Sequence, residues 1–309
     1  MKTAEIACGD YSALINLSRG ANCISLINKK YGAHILREPT CGDGEPDNPY
    51  LYGMPILFPV NRISGGSFEF EGRIYRFPVN EPDTGCHLHG ELHRTEFDLL
   101  ELSKERVLCR YRADRDDPYL SFPHEFEIRM EYSLAEDGLT HRTEVINHSE
   151  HNMPCMLGFH TTFNSLFAGD GDVRVRVDIA EEYERNMQSY LPTGRKLAFD
   201  NVTSQLTEGQ FSPFGTPISR HYRMGGEGIM TLTNYDKGLR VVYENDDKYT
   251  FRLIYNGNAD GYICLEPQTC LANAPNSPFG RTEAGFDVIE PRKSKTYISK
   301  IYMTEEDEK

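Results

Sequence analysis

Three of the chain's ten histidines fall within seven residues of the stretch Asn80-Glu81-Pro82-Asp83-Thr84-Gly85-Cys86-His87-Leu88-His89-Gly90-Glu91-Leu92-His93. If the backbone there is extended, alternation places His87 and His89 on one face and Leu88 on the other. Gly90 then lets the chain bend or approach another group closely. Two imidazoles on one face are the beginning of a metal site, which needs three or four ligands at workable spacing. Glu91 follows too closely, and Glu96 too far on, to complete the set, so no metal is expected. His87 and His93 read as scaffold or rim residues, and His89 is the functional candidate of the three.

Three further clusters carry reactive side chains. In Leu57-Phe58-Pro59-Val60-Asn61-Arg62-Ile63 an apolar run encloses a polar pair, and the arginine fork suits hydroxyls, carboxylates or phosphates. In Met153-Pro154-Cys155-Met156-Leu157-Gly158-Phe159-His160-Thr161-Thr162-Phe163-Asn164 a histidine follows an apolar strand. Its pKa near neutrality suits it to giving and taking protons, although a core histidine bonded to backbone fits the same pattern. In Tyr262-Ile263-Cys264-Leu265-Glu266-Pro267-Gln268-Thr269 a glutamate ends an apolar strand. Such a carboxyl is costly to bury unless paired or functional, and burial raises its pKa toward general-base work. A pairing of Glu266 with Arg62 is the other reading.

The elements that must hold these groups are β-strands. Phe126, Ile128, Met130, Tyr132 and Leu134 alternate with polar residues, and Asp137-Gly138 turns the chain into a partner strand over 139–146. Residues 67–77 read as a hairpin about Gly72. Further strands are expected over 173–179, 229–233, 239–243, 249–255, 262–265 and 295–303. Residues 181–187 read as a short helix. Residues 198–223, rich in Pro and Gly, read as a long loop, either bordering a cleft or a surface excursion. Many short strands with turns between them predict an all-β fold, a sandwich or barrel. With no linker and no repeat, 1–309 is expected to form a single domain.

The net charge of −14 disfavours nucleic acid and anionic membranes as partners. Residues 305–309 read as a solvated acidic tail. Eight scattered cysteines form no CxxC pair, the first residues show no signal peptide, and no apolar run approaches the ~18 residues of a membrane helix. These features predict a reduced, cytoplasmic protein, a monomer or homodimer.

Taken together and in order, the motifs resemble the aldose 1-epimerase (galactose mutarotase-like) family. The matches are Leu57-Phe58-Pro59 with Asn61-Arg62-Ile63, Gly72 and Tyr75, Pro78 with Asn80-Glu81, Leu88-His89-Gly90, Gly158-Phe159-His160 with Phe163-Asn164, and Glu266-Pro267-Gln268 with Ala274 and Asn276. The resemblance implies a large antiparallel β sandwich (the galactose mutarotase-like supersandwich). It implies an isomerase that interconverts the α and β anomers of a free aldose, without cofactor. It also implies Glu266 as general base, His160 as general acid, and His89, Arg62 and Asn61 as sugar-binding residues. Two positions depart from the family. Arg220-His221 stands where an Asp-His pair is usual, and Cys86 replaces an Asn, so the sugar is left open. Phe163 is a candidate for stacking on it. The same fold also admits a hexose-6-phosphate 1-epimerase, with Arg220, Arg223 and Arg94 as phosphate ligands. A non-catalytic carbohydrate-binding protein is a third reading.

Overall fold

The computed structural model describes residues 2–39, 48–259 and 261–306. In it the alternating run becomes the strand Phe126–Ala135, paired antiparallel with Gly138–Asn147 along its whole length. Phe126, Ile128, Met130, Tyr132 and Leu134 are buried, and each is worth roughly 1.5–3 kcal/mol over exposure. These two strands sit within an eight-stranded sheet that runs from Asp98–Leu102 at one edge to Val173–Val177 at the other, with Ser294–Glu305 near its middle. The expected hairpin forms from Ser67–Phe70 and Arg73–Arg76.

A second large sheet carries, in order, Pro192–Leu197, Ile179–Arg185, Ser219–Met224, Phe251–Tyr255, Tyr262–Gln268, Gly158–Phe159 and Ile56–Leu57, and Thr162–Asn164 also pairs with Tyr262–Gln268. The two sheets meet through aromatic residues. Phe159 meets His141 edge-on at 4.7 Å, Phe163 lies 5.5 Å from Tyr243, and Thr161 Oγ1 is 3.0 Å from the Tyr243 hydroxyl. The core therefore fills the space between two antiparallel sheets, the sandwich arrangement. A four-stranded sheet made of residues 3–34 adds to it.

Several expectations are corrected. Residues 181–187 are not helical: Ile179–Arg185 is a strand, since both neighbours in the sheet supply hydrogen bonds. The stretch 198–223 is not all loop, because it contains the helix Asn201–Glu208. Asp200 Oδ1 caps it by accepting from the Thr203 N–H at 3.0 Å, and Gly209 ends it in left-handed backbone. Phe163 is fully buried in the core and cannot stack on a ligand. Glu305 and Glu306 are tied down, by Lys30 at 2.9 Å and by Arg240 respectively. The rest of the acidic tail, and Cys41, lie outside the described residues. The seven described cysteines are free thiols. Among the described residues no helix is long and apolar enough to cross a membrane.

Candidate active site

Cross-strand register builds the site. Along Tyr262–Gln268, residues 264, 266 and 268 share one face. Opposite Glu266 lies Leu253, opposite Leu253 lies His221, and opposite His221 lies Tyr183, so one row crosses four strands on that face. His160 enters from the other side, where its chain leaves the strand Gly158–Phe159. Its Nε2 stands 3.2 Å from Glu266 Oε1, off the line of a good hydrogen bond. Glu266 Oε2 accepts from Gln268 Nε2 at 3.1 Å, and Gln268 Oε1 accepts from Asn61 Nδ2 at 3.2 Å. A relay of amides thus fixes the carboxylate.

His89 and Asn61 hold each other. Both have left-handed backbone, with φ of 63° and 60°, a conformation that Asn and His adopt more readily than most residues. The His89 N–H donates to Asn61 O at 3.1 Å, and the Asn61 N–H donates to His89 Nδ1 at 3.2 Å. With Nδ1 an acceptor, the proton of neutral His89 resides on Nε2, a donor for a sugar oxygen. Burial, with the nearby His160 and Arg62, holds its pKa well below the usual value, so it stays neutral. Asn80 braces the preceding residue, its Oδ1 accepting from the Leu88 N–H at 2.6 Å and its Nδ2 donating to Leu88 O at 2.9 Å. Glu81 grips Arg62 at two nitrogens, 2.6 and 2.7 Å away. Arg62 therefore pairs with Glu81 and not with Glu266. Asn61 Oδ1 accepts from the Arg62 N–H at 2.9 Å and its Nδ2 donates to Gln268, which leaves one amide hydrogen to donate to a ligand.

The left-handed turn at His89 breaks the alternation expected of the histidine run. His87 points away, stacks on Phe77 at 4.9 Å, and its Nδ1 lies 2.7 Å from Pro78 O. His93 is buried in the short 3-10 turn Leu92–Arg94, its ring 4.6 Å from that of Tyr50. Gly90 is indispensable here. It has a φ of +65°, and an added Cβ would lie 1.9 Å from Phe58 O and 2.5 Å from the Tyr119 hydroxyl. We expect Gly90→Ala to lose at least about 2 kcal/mol of stability in urea unfolding, since the Phe58 carbonyl and the Tyr119 side chain would both have to move.

Burial dominates the electrostatics of the central pair. Glu266 is inaccessible and His160 only 7% exposed. Desolvation pushes Glu266 up to about 8, against the smaller opposing effects of Gln268, Arg185 and Arg62. Desolvation likewise pushes His160 down to about 4. Contact between opposite charges would act the other way on both groups. Full burial wins, so the resting pair is a carboxylic acid beside a neutral imidazole, with one proton between them.

Sequence reasoning missed several site residues. Tyr50 packs over His89 at 4.9 Å and His160 at 5.9 Å. The Tyr190 ring packs against two guanidinium groups, 4.7 Å from that of Arg62 and 5.7 Å from that of Arg185. Arg185 was hidden in the run read as helix. Of the arginines considered for phosphate, Arg220 points to the opposite face of the sheet, where Asp200 and Glu182 bind it, and Arg223 is held by Glu181 and Glu283. Arg94 is exposed. His160, Cys264 and Glu266 also bring one nitrogen, sulfur or oxygen donor each within 4.8 Å of one another. Burial holds the Cys264 thiol well above its usual pKa, opposing the proton loss that metal ligation requires.

This geometry sits on a known family. The sequence profile of aldose 1-epimerase matches residues 4–286, so the chain belongs to the aldose 1-epimerase family. It is similar to the uncharacterized protein YihR of Escherichia coli K12, with 23% identity over 284 residues, 89% of this chain and 86% of that protein. Among solved structures, a galactose mutarotase-like protein from Clostridium acetobutylicum superposes with a TM-score of 0.90 at 29% identity, covering 97% of this chain and 94% of that one. Galactose 1-epimerase from Lactobacillus acidophilus superposes with a TM-score of 0.71 at 14% identity, covering 96% and 92%. The fold is thus the galactose mutarotase-like β sandwich.

Proposed function

We propose that this chain is an aldose 1-epimerase that interconverts the α and β anomers of an aldose by general acid–base ring opening and reclosure. The observation that carries the reading is the buried pair of Glu266 and His160, a base and an acid 3.2 Å apart. In the opening step the ionised form of the pair acts. Glu266 takes the proton of the anomeric hydroxyl, the C1–O1 bond becomes a carbonyl, and the C1–O5 bond breaks with its electrons going to O5. His160 gives O5 its proton. The pair is left as acid and neutral imidazole, the form that burial favours at rest. After rotation about C1–C2, His160 takes the proton back as O5 attacks the other carbonyl face, and Glu266 returns a proton to O1. One proton stays with the pair throughout, so no net charge is created in the buried site.

His89 would donate from Nε2 to a sugar oxygen, Arg62 would offer its uncommitted nitrogen, and Asn61 its remaining amide hydrogen. The rings of Tyr50 and Tyr190 supply aromatic surface beside them. The test is polarimetry on freshly dissolved α-glucose, α-galactose and a panel of other aldoses, free and phosphorylated, in chelator-treated buffer. Relaxation faster than in buffer alone, undiminished by the chelator, is expected. No acceleration of any sugar would sink the proposal, and activity that returns only with added metal would replace its mechanism.

A further inference from the structure

Arg185 is a buried cation that no described carboxylate pairs. Its residue is 8% exposed, yet among the described residues no carboxylate lies within hydrogen-bond or ion-pair distance of it. Its Nη2 donates to the Ser219 carbonyl and, at 2.9 Å, to the Ser219 hydroxyl, and among the described residues Nε and Nη1 have no acceptor. Arg252, buried on the opposite face of the same sheet, shows what a purely structural arginine looks like. Its Nη1 donates to Phe251 O at 2.8 Å and to Tyr249 O at 2.5 Å, and its Nη2 lies 3.0 Å from Met224 sulfur, so both ends are committed. The guanidinium of Arg62, which packs against the same Tyr190 ring, has its charge neutralised by Glu81 through Nε and Nη2 and keeps only Nη1 uncommitted.

A second observation points the same way. His221 lies on the site face of the sheet, in the row between Tyr183 and Leu253, fully buried, with neither ring nitrogen hydrogen-bonded. Arg185 is near enough for its charge to act on both His221 and Glu266. An unneutralised fork of donors, bound to Ser219, thus lies two residues along the strand from an unpartnered imidazole, on the sheet that carries Glu266. Burying a charge without a partner is costly, and an anion that arrives with the substrate removes that cost. The chain's net charge of −14 opposes an anion at long range, so the attraction has to be local and dry, as it is here.

We propose that the sugar bears an anionic, oxygen-rich substituent, a carboxylate or a phosphoryl group, and that Arg185 is the residue that selects it. The proposal rests on the epimerase reading for its reaction, though not for its ligand. Anomer exchange is measured by magnetisation-transfer NMR on glucose, glucuronate and glucose 6-phosphate, and on the matching galactose series. The free acid and phosphate arms separate the two sources of negative charge. We expect at least one anionic hexose to exceed its neutral parent in kcat/KM by about 10- to 100-fold, the range of charge-assisted hydrogen bonds.

Arg185→Met should bring that ratio to near one, and Arg185→Lys should keep part of it. The wild-type ratio is read first, so the test stands even if Arg185→Met does not fold. Equal or better turnover of the neutral parents overturns the proposal and leaves the epimerase reading intact. So does an Arg185→Met protein that loses neutral and anionic sugars alike, because Arg185 would then serve only to hold Glu266. If no sugar is turned over, the epimerase reading fails, and calorimetric binding to wild type decides the matter. Anionic hexoses bound at least about 10-fold tighter than neutral ones support the assignment, and equal binding or none overturns it.

Discussion

Glu266→Gln abolishes anomer interconversion, lowering kcat by about 10²–10⁴-fold, and yields a protein more stable than wild type in alkaline solution. The loss follows because the amide cannot take the anomeric proton. The fold survives because the amide fits the same contacts. Its oxygen can accept from Gln268 Nε2, which now reaches Glu266 Oε2 at 3.1 Å, and its NH2 can face His160 Nε2. The gain in stability follows from the direction of the pKa shift. Desolvation raises Glu266 from 4.5 to about 8 in the folded state. Between those values the folded chain holds a proton that the unfolded chain releases, so stability falls as pH rises through this window and the full penalty applies above it. Glutamine has no such penalty. Thermal melts should therefore show the variant higher than wild type by a few degrees at about pH 9, converging with it below the unfolded carboxyl's pKa. A variant that is inactive and less stable at every pH would mean that the carboxylate is structural. Wild-type turnover would remove Glu266 from the chemistry.

That burying the proposed base costs stability explains why part of the candidate site could be read from sequence. Glu266 stood out because an ionisable residue ended an otherwise apolar strand, and His160 because an imidazole followed another. The sheet itself was legible where one face meets the core, as in residues 126–134, since the period of two is then strict. Legibility failed where long-range pairing overrides local preference. The run Glu181-Glu182-Tyr183-Glu184-Arg185 has helix-compatible residues, but two flanking strands draw it into the sheet and bury Tyr183 and Arg185. The His87–His89 alternation failed at one backbone angle, the left-handed φ of His89, which depends on Asn61 far away in sequence. The Asn80-Glu81 pair was visible as a motif. Its work, clamping Leu88 and Arg62, required the partners to be seen. Tyr50 comes from a short 3-10 turn upstream that carries no chemical signal of its own.

His160→Gln removes the group assigned to the ring oxygen, and its signature lies in the pH profile more than in the rate. In the wild-type protein the pair must hold one proton. Acid adds a second as His160 is protonated, and base removes the last as Glu266 ionises. With burial placing these events at about 4 and about 8, kcat/KM should be bell-shaped, level between the two and falling on either side. Without His160, water must protonate O5, and the rate should drop by about 10²–10⁴-fold. The shape should change as well. The acid that remains is Glu266 alone, and residual activity needs only its ionised form. The bell therefore becomes a single limb rising through the Glu266 pKa, at about 8, because the desolvation that sets it is unchanged and His160 is already neutral there. A variant that keeps the falling alkaline limb would show that the essential proton above neutrality belongs to another group. The buried, unpartnered His221 would then be the next residue to replace, since it lies two strands from Glu266 on the same face of the sheet.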